Sequence, residues 1–500
     1  MNPKDVYRVY KRLKDLAIVS HALRFYNASI AYIKAAGWWA YTFNIAFRDE
    51  QLEDLIVRLS TKIKRKDYAS NPDSFVFVDS YANDHHGLTQ QYIRAIMAQG
   101  VHLIYITDAS SDSKVSKGIY KELLTYPKAS IVNIPNKRRL SGLRRAQFIY
   151  DKIAVASPSK VFMHIAPNAV ETLLALQALP DSSIRYQINL TDHTFGLGAK
   201  TLDYTLEFRS WGYMVSEKER GIDKSRLLLC PYYPIVETTP FKGFPFEKKS
   251  ECCIFSGGTP YKFTDKNHTF FKIIKRILDE NPSAVWVHAG DDIGGIKKMA
   301  LSVMDENYLK RIYFLGYRDD IGEVFNHIDI YLNSYPVEGG LMSLYAARYG
   351  KPILSLLGEE DTSTNELVGQ LQPVSVVSNT IDELCAEANR LITDTEYRNQ
   401  RGKQLKESTI DERQFNALFN KLCTSNVNVL PIPNIHKQVE LPSMEAKCLM
   451  ETEDAGCRMT IVGYLKWRGI FIPHCLLQTI QYYPRKIQSI INRNIKTRII

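Results

Sequence analysis

The feature that most constrains the fold is an alternation of short apolar runs with helix-like segments, which occurs twice along the chain. The first series runs through FVFVDS, VHLIYITD, SIVNIP, VFMHIAP and IRYQINL, between residues 75 and 190. The second starts with CCIFSGG at residue 252 and ends with VSVVS at residues 374–378. Strands that alternate with helices predict parallel sheets covered on both faces. The sequence therefore predicts an α/β protein with two Rossmann-like, doubly wound domains.

The segments outside the two series divide the chain further. Residues 231–249 are rich in proline, which interrupts helices and removes hydrogen-bond donors from sheets. Residues 5–66 have apolar side chains at helical spacing. The predicted divisions are an N-terminal helical extension at 1–70, a first α/β domain at 71–235, a linker at 236–250, a second α/β domain at 251–424 and a basic, helical C-terminal extension at 425–500.

Composition excludes several classes of protein. A hydrophobic fraction of 45% is typical of globular chains, and a formal net charge of +10 favours contact with phosphates. No two of the eight cysteines have the spacing of a zinc or redox motif, which suits a reducing compartment. The N-terminus is charged, unlike a secretory signal, and no apolar stretch reaches the ~18 residues of a membrane span. We therefore expect a cytoplasmic protein that is not integral to a membrane.

Two glycine-containing loops follow strands of the second series and precede helices. The first contains Gly257, Gly258, Thr259 and Lys262, and taken alone it is equally well read as a tight turn. The second contains Glu338, Gly339, Gly340, Leu341, Met342 and Ser343. Glycines at a helix N-terminus let backbone N–H groups approach a phosphate, and ligands of parallel sheets bind at the carboxyl ends of strands. Together the loops predict one nucleotide site.

The order of SGGTPYK, HAGD and FLGYRDDIGEVFNHIDIYLNSYPVEGGLMSLYAARYGKPILS resembles the donor domain of GT-B glycosyltransferases, of the group 1 or family 4-like, bacterial polysaccharide or glycolipid type. The resemblance covers residues 250–420 well and residues 75–235 through the alternation alone. It implies two domains that face each other across a cleft. It also implies a nucleoside diphosphate sugar as donor substrate, with no separate cofactor.

The resemblance further implies where the donor binds. The base is expected near Tyr317 and Arg318, and the diphosphate near the two glycine loops. Many members of the family carry an acidic residue that binds the ribose where this chain has Tyr345. No D-x-D pair of the kind that holds a divalent metal is evident, so we expect no metal site and metal-independent chemistry.

The first domain is expected to hold the acceptor, because its polar residues also gather after strands. A base that takes the proton of the acceptor hydroxyl is needed if configuration inverts, and histidine suits this role near neutral pH. His193, oriented by Asp192, is the first candidate, and His85 and His86 are the second. The competing reading for each is a loop histidine bonded to backbone. His164 and Asn168, which flank Pro167, are weaker acceptor-side candidates, and the positive charge of Arg209 fits either the cleft or solvent.

The last forty residues interleave aromatic and basic side chains, and residues 463–500 contain no acidic residue. This composition fits a helix on an anionic membrane surface, and equally a terminal helix packed against the N-terminal helices. No nucleic-acid recognition motif accompanies the charge.

The sequence thus predicts a hexosyl- or N-acetylhexosaminyltransferase that moves a sugar from a nucleotide sugar to a glycan or lipid-linked acceptor. It would work in the cytoplasm or at the inner face of the membrane, in polysaccharide or glycolipid synthesis. The alternatives are a sugar-nucleotide epimerase of the same fold and a non-catalytic scaffold that has lost the donor.

Overall fold

The computed structural model describes residues 3–84, 88–111, 113, 115–135, 140–236, 239–248, 252–290, 293–357 and 367–432. The first part contains helices α1 (Pro3–Ala22), α2 (Tyr26–Phe43) and α3 (Glu50–Ser60), which form the N-terminal extension. Among the described residues no helix is long and apolar enough to cross a membrane.

A seven-stranded parallel sheet follows, with strand order β3-β2-β1-β4-β5-β6-β7. Its strands are β1 (Asn71–Asp79), β2 (His102–Thr107), β3 (Ala129–Asn133), β4 (Pro158–His164), β5 (Ile184–Ile188), β6 (Tyr204–Glu207) and β7 (Leu227–Leu229). Its helices are α4 (Thr89–Met97), α5 (Lys117–Thr125), α6 (Leu143–Ala156), α7 (Val170–Gln177) and α8 (Ser210–Lys218).

The second sheet has six parallel strands in the order β10-β9-β8-β11-β12-β13. Its strands are β8 (Cys252–Gly257), β9 (Ala284–Ala289), β10 (Ile312–Gly316), β11 (Ile330–Leu332), β12 (Ile353–Leu356) and β13 (Val377–Ser378). Its helices are α9 (Thr269–Glu280), α10 (Ile293–Leu301), α11 (Ile321–His327), α12 (Gly340–Arg348), α13 (Ile381–Thr393), α14 (Thr395–Ser408) and α15 (Glu412–Ser425). The two sheets confirm the predicted α/β fold with two Rossmann-like domains.

Alternating side chains of β1 enter two different cores. Val76 and Val78 pack with the extension and with α6 and α7. Phe75 and Phe77 belong to a second core, which also includes residues of the second domain such as Phe255. Since successive side chains of a strand point to opposite faces, the first sheet is buried on both sides.

Helix α15 follows the second domain in sequence but packs on the first. Phe415 and Phe419 lie edge-on to the buried Tyr92 of α4, with ring centroids 5.3 and 5.4 Å away. The Asn426 side chain, just beyond the helix, accepts a 2.6 Å hydrogen bond from the Tyr186 hydroxyl. Aromatic packing of this kind contributes beyond the area it buries, so α15 ties the two domains together.

The described residues of the predicted linker, 236 and 239–248, form neither helix nor strand. They nevertheless pack on the second domain. Phe241 stacks on His327 at 3.7 Å between ring centroids, and Phe246 stacks on Tyr313 at 4.3 Å. The linker is therefore fixed to the second domain by aromatic contacts.

Candidate functional site

The two glycine loops of the second domain lie side by side. They follow β8 and β11, which are paired neighbours in the sheet, with Tyr331 opposite Phe255. The Lys262 ammonium donates a 3.1 Å hydrogen bond to the carbonyl oxygen of Glu338. A side chain at Gly257 would have its Cβ 2.6 Å from the terminal methyl of Met342. The structure thus brings together the two predicted loops.

Two glycines of this site are required by the backbone itself. Gly258 has φ = +151°, a conformation that L side chains rarely adopt. A Cβ at Gly290, which follows β9, would overlap the carbonyl oxygen of Gly258. The absence of side chains therefore lets the loops after β8 and β9 cross in contact.

Helix α12 begins inside the second loop, at Gly340, so the N–H groups of Gly340, Leu341 and Met342 have no acceptor within the helix. Asn333 fixes the loop by accepting hydrogen bonds from the N–H groups of Ser334 at 3.0 Å and Gly339 at 2.9 Å. Such a helix start carries partial positive charge and suits an anion.

Ser343 is placed differently from its loop neighbours. It is fully buried, and its hydroxyl donates a 3.1 Å hydrogen bond to the Gly339 carbonyl. Its backbone N–H also donates to that carbonyl, at 3.0 Å. Ser343 therefore supports the loop from within.

The two residues predicted to lie near the base differ in their surroundings. Tyr317 follows β10 and is 69% exposed. Arg318 is almost buried, since its guanidinium binds the Asp320 carboxylate at 2.5 and 2.6 Å and the Gly243 carbonyl at 2.8 Å. The described contacts of Arg318 thus attach the linker to the second domain, and Tyr317 presents the accessible ring.

Tyr345 occupies the position where the resemblance implies an acidic residue. Its contacts are with the surrounding fold. Its ring is buried and stacks on Phe325 at 5.8 Å between centroids. Its hydroxyl donates a 2.6 Å hydrogen bond to the carbonyl of Ile235, the residue directly before the linker. The tyrosine therefore holds the linker against α12.

In the first domain, the loop after β5 is built on a buried ion pair. The Asp192 carboxylate, fully buried, binds the Arg209 guanidinium through two hydrogen bonds of 2.5 and 2.8 Å. Arg209 keeps the pKa of Asp192 well below its usual range although burial alone would raise it. The His193 ring is half exposed, and its Nδ1 lies 3.3 Å from the same carboxylate. The structure therefore brings together the predicted pair and leaves the histidine accessible.

A second guanidinium fixes the backbone of this loop. Arg220 is buried and donates hydrogen bonds to the carbonyls of Thr191, Asp192 and Thr194, at 3.2, 3.0 and 2.6 Å. The sequence left open whether Arg209 reaches the cleft or solvent. Arg209 and Arg220 both have structural roles in holding this loop. The sequence signal for these roles was that Arg209 closely follows the buried strand β6 and Arg220 closely follows helix α8.

The N-terminal extension holds the far end of the same loop. Glu53 of α3 is fully buried and accepts hydrogen bonds from the N–H groups of Gly198 at 2.7 Å and of Ala199 and Lys200 at 3.3 Å. Burial raises the pKa of the Glu53 carboxyl, and those N–H groups oppose the rise. Sequence reasoning did not identify Glu53, because a glutamate on an amphipathic helix is ordinarily a solvent-facing residue.

Glu207 was also missed, although a lone acidic residue in the apolar strand β6 was the available signal. It accepts hydrogen bonds from the Ser216 hydroxyl at 2.5 Å and from the Asn189 amide at 2.9 Å. Burial, together with the charge of Asp192, raises the pKa of Glu207 to about 7, while Arg220 opposes the rise. Glu207 therefore titrates near neutral pH.

The other predicted base candidates, His85 and His86, lie outside the described residues. Near them, Asp84 accepts hydrogen bonds from the N–H groups of Gly118 at 2.6 Å and Ile119 at 2.8 Å and so caps α5. His164 is buried at the end of β4, with Nδ1 3.2 Å from the Asp79 carboxylate. Its Nε2 has no hydrogen-bond partner in the described part of the chain.

A further buried histidine lies in the second domain. His288 of β9 is almost fully buried, and neither ring nitrogen has a hydrogen-bond partner among the described residues. Burial lowers the pKa of His288 to about 4. The described residues also contain no cluster of three histidine, cysteine, aspartate or glutamate side chains that could hold a metal ion.

This arrangement of two Rossmann-like domains defines the GT-B fold, and solved structures share it. A glycosyltransferase from Rickettsia africae matches with TM-score 0.53 and 11% identity, over 71% of this chain and 99% of its own. TarM matches with TM-score 0.52 and 9% identity, over 70% and 98%. HepE from Anabaena, in complex with UDP, matches with TM-score 0.51 and 13% identity, over 70% and 100%. No protein-family model and no curated protein matches the sequence.

The raised pKa of Glu207 predicts a specific dependence of stability on pH. Its carboxyl has a pKa of about 7 when folded and an ordinary value of 4.5, so the folded state binds more protons between these values. The free energy of unfolding should therefore fall as pH rises through this window. The free energy of unfolding, measured with urea, should fall less between pH 4.5 and 7.5 for Glu207→Gln than for the parent. The two decreases should differ by up to roughly 3 kcal/mol.

The matched control is Glu306→Gln at an exposed position in the second domain, which should keep the parental pH profile. Identical profiles for the parent and Glu207→Gln would contradict the assignment.

Proposed function

We propose that this protein is a glycosyltransferase that moves a sugar from a nucleoside diphosphate sugar to a glycan or lipid-linked acceptor. The observation that carries the proposal is the pair of contacting glycine loops at the carboxyl ends of β8 and β11, the second of which contains the start of α12. HepE, which shares the fold, binds UDP, and we take UDP as the first nucleotide to test.

The donor diphosphate would lie between the two loops. Backbone N–H groups at the start of α12 would bind its oxygens, and the Lys262 ammonium, already at the junction of the loops, would add positive charge. Charge that develops on the leaving diphosphate would be stabilised by the same groups, so the proposed reaction needs no metal ion. The exposed ring of Tyr317 would stack on the base.

The contacts of Tyr345 bear on the scaffold alternative. Loss of the expected acidic residue was the reason to consider a protein that no longer binds a donor. Because the tyrosine hydroxyl and ring hold the linker against α12, its presence has a structural cause that does not require loss of the donor.

Acceptor-dependent product formation would separate a transferase from an epimerase.

Lys262→Ala should weaken UDP binding about 10- to 150-fold, because a charge-assisted hydrogen bond contributes roughly 1.5–3 kcal/mol. Isothermal titration calorimetry with UDP measures the change. Lys266→Ala, an exposed lysine four residues further along, is the control and should bind UDP like the parent. Equal affinities for all three proteins would remove Lys262 from the donor site.

For the acceptor, we propose that His193 takes the proton of the attacking hydroxyl. Asp192 lies 3.3 Å from Nδ1, which leaves Nε2 on the accessible side of the ring. Arg209 and Arg220 hold the loop, so the imidazole would be presented in a fixed position. Asp192 would then act on the ring by orienting it.

His193→Ala should lower turnover by about 10²- to 10⁴-fold and leave UDP binding and thermal stability near the parental values, since a general base contributes only to the chemical step. The control is His102→Ala, at the exposed amino end of β2, which should keep the parental turnover. Turnover within a few-fold of the parent would shift the role to His85 or His86, or indicate a retaining reaction.

We also keep the proposal that the enzyme works in the cytoplasm at an anionic membrane surface, in polysaccharide or glycolipid synthesis. The basic and aromatic segment 463–500, on which it depends, lies outside the described residues. Truncation after residue 460 should reduce binding to acidic liposomes, most strongly at low salt, and leave the two domains folded. An unfolded truncated chain, together with an intact chain that ignores liposomes, would indicate packing instead.

A further inference from the structure

The C-terminal part of helix α2, in the N-terminal extension, borders the turn that carries His193. The Thr194 hydroxyl donates a 3.2 Å hydrogen bond to the Tyr41 carbonyl oxygen. Gly37 allows the close approach of the helix, because a Cβ there would already lie 3.3 Å from the Leu197 side chain. Part of the extension therefore forms one side of the loop after β5, next to the proposed general base.

Trp38 and Tyr41 form an aromatic pair on this part of α2. Their ring centroids are 5.6 Å apart, and the rings are tilted by 32°. Tyr41 is partly buried, whereas Trp38 is 52% exposed. A single exposed aromatic ring is ordinary on a protein surface. The position of this ring beside the loop of His193 is what indicates a role in binding.

Tyr81, which follows β1, extends the aromatic pair along the same loop. Burial raises the pKa of Tyr81, the nearby Tyr41 adds to the rise, and contact with Thr191 opposes it. Thr191 begins the turn of His193, since its carbonyl accepts a 3.3 Å hydrogen bond from the N–H group of Thr194. The two tyrosines therefore border both ends of that turn.

The exposed apolar area on α2 has the size of one aromatic ring. The other exposed residues of this helix are Asn27, Ala28 and Ala31, which are small or polar. The exposed Phe25 precedes the helix and lies roughly 20 Å from Trp38 along its axis. An acyl chain or a partner helix needs a continuous apolar surface, whereas one face of a pyranose matches a single aromatic ring.

We propose that Trp38 and Tyr41 form a stacking platform for a pyranose ring of the acceptor. The C–H groups on one face of a sugar carry partial positive charge, and the face of an aromatic ring carries partial negative charge. The sugar would keep its hydroxyl groups at the ring edge, where one of them would meet the half-exposed His193. This inference rests on the proposed function and deepens it, since it makes the acceptor a carbohydrate where it contacts the enzyme.

The test is saturation-transfer and titration NMR of the full chain, with and without UDP, using methyl glycosides and disaccharides of glucose, galactose and N-acetylglucosamine. At least one of these sugars should bind. Trp38→Ala should weaken that binding about tenfold or more, and Trp38→Phe, which keeps an aromatic ring, should stay within about threefold of the parent. The control is Phe25→Ala, at a 63% exposed aromatic position of the same extension, which should bind the sugar like the parent.

Three results would overturn the inference: no sugar of the panel binds, Trp38→Ala binds it like the parent, or Trp38→Phe loses as much affinity as Trp38→Ala. Unchanged sugar binding by Trp38→Ala, together with weaker binding to acidic liposomes, would assign the ring to a membrane surface instead. Calorimetry with UDP separates this inference from the proposed function. UDP binding without sugar binding contradicts the platform alone, whereas sugar binding that depends on Trp38, without UDP binding, contradicts the donor site alone.

Discussion

The first domain depends on the buried ion pair between Asp192 and Arg209. A carboxylate at this depth is stable only because a guanidinium binds both of its oxygens, and loss of one partner would leave an uncompensated buried charge. Gly212 makes the arrangement possible, since a Cβ there would lie 2.6 Å from the Asp192 carboxylate and 2.7 Å from that of Glu207. Arg220 donates hydrogen bonds to the carbonyls of the loop after β5, and Glu53 accepts them from its N–H groups. These contacts fix the backbone of the loop that carries His193.

The N-terminal extension and the linker both contact loops of the two domains, the extension in the first domain and the linker in the second. The extension supplies Glu53 to the loop after β5, and its Lys34 contacts Glu171 of α7 at 2.6 Å. The linker is fixed to the second domain through Arg318 and through the hydroxyl of Tyr345. Segments outside the two sheets thus set the position of loops that the sheets alone would leave unconstrained.

The architecture could be predicted from sequence because the alternation of strands and helices is a local signal with a strong topological consequence. The two glycine loops could be predicted for the same reason, since each follows an apolar run and precedes a helix. The roles of Arg318 and Tyr345 could not be predicted, because their partners are Gly243 in the linker and Ile235 directly before it. No local pattern predicts which side chain this segment will contact.

The buried polar residues were harder to predict from the sequence. Glu53 and Glu207 look like ordinary surface or strand residues until the backbone brings N–H, hydroxyl and amide donors to their carboxylates. Such clusters arise from long-range contacts, between residues up to 147 positions apart for Glu53. His193 and Asp192 were found from sequence because they are adjacent and follow a strand, but Arg209, which stabilises Asp192, acts through the fold.

The most direct test of the central claim is mass spectrometry of the full chain incubated in EDTA with UDP-sugars and candidate acceptors. The account predicts release of UDP together with an acceptor heavier by one sugar residue, and neither product without acceptor. Recovery of only unchanged or isomerised UDP-sugar from every mixture, by a folded protein that binds UDP, would contradict it.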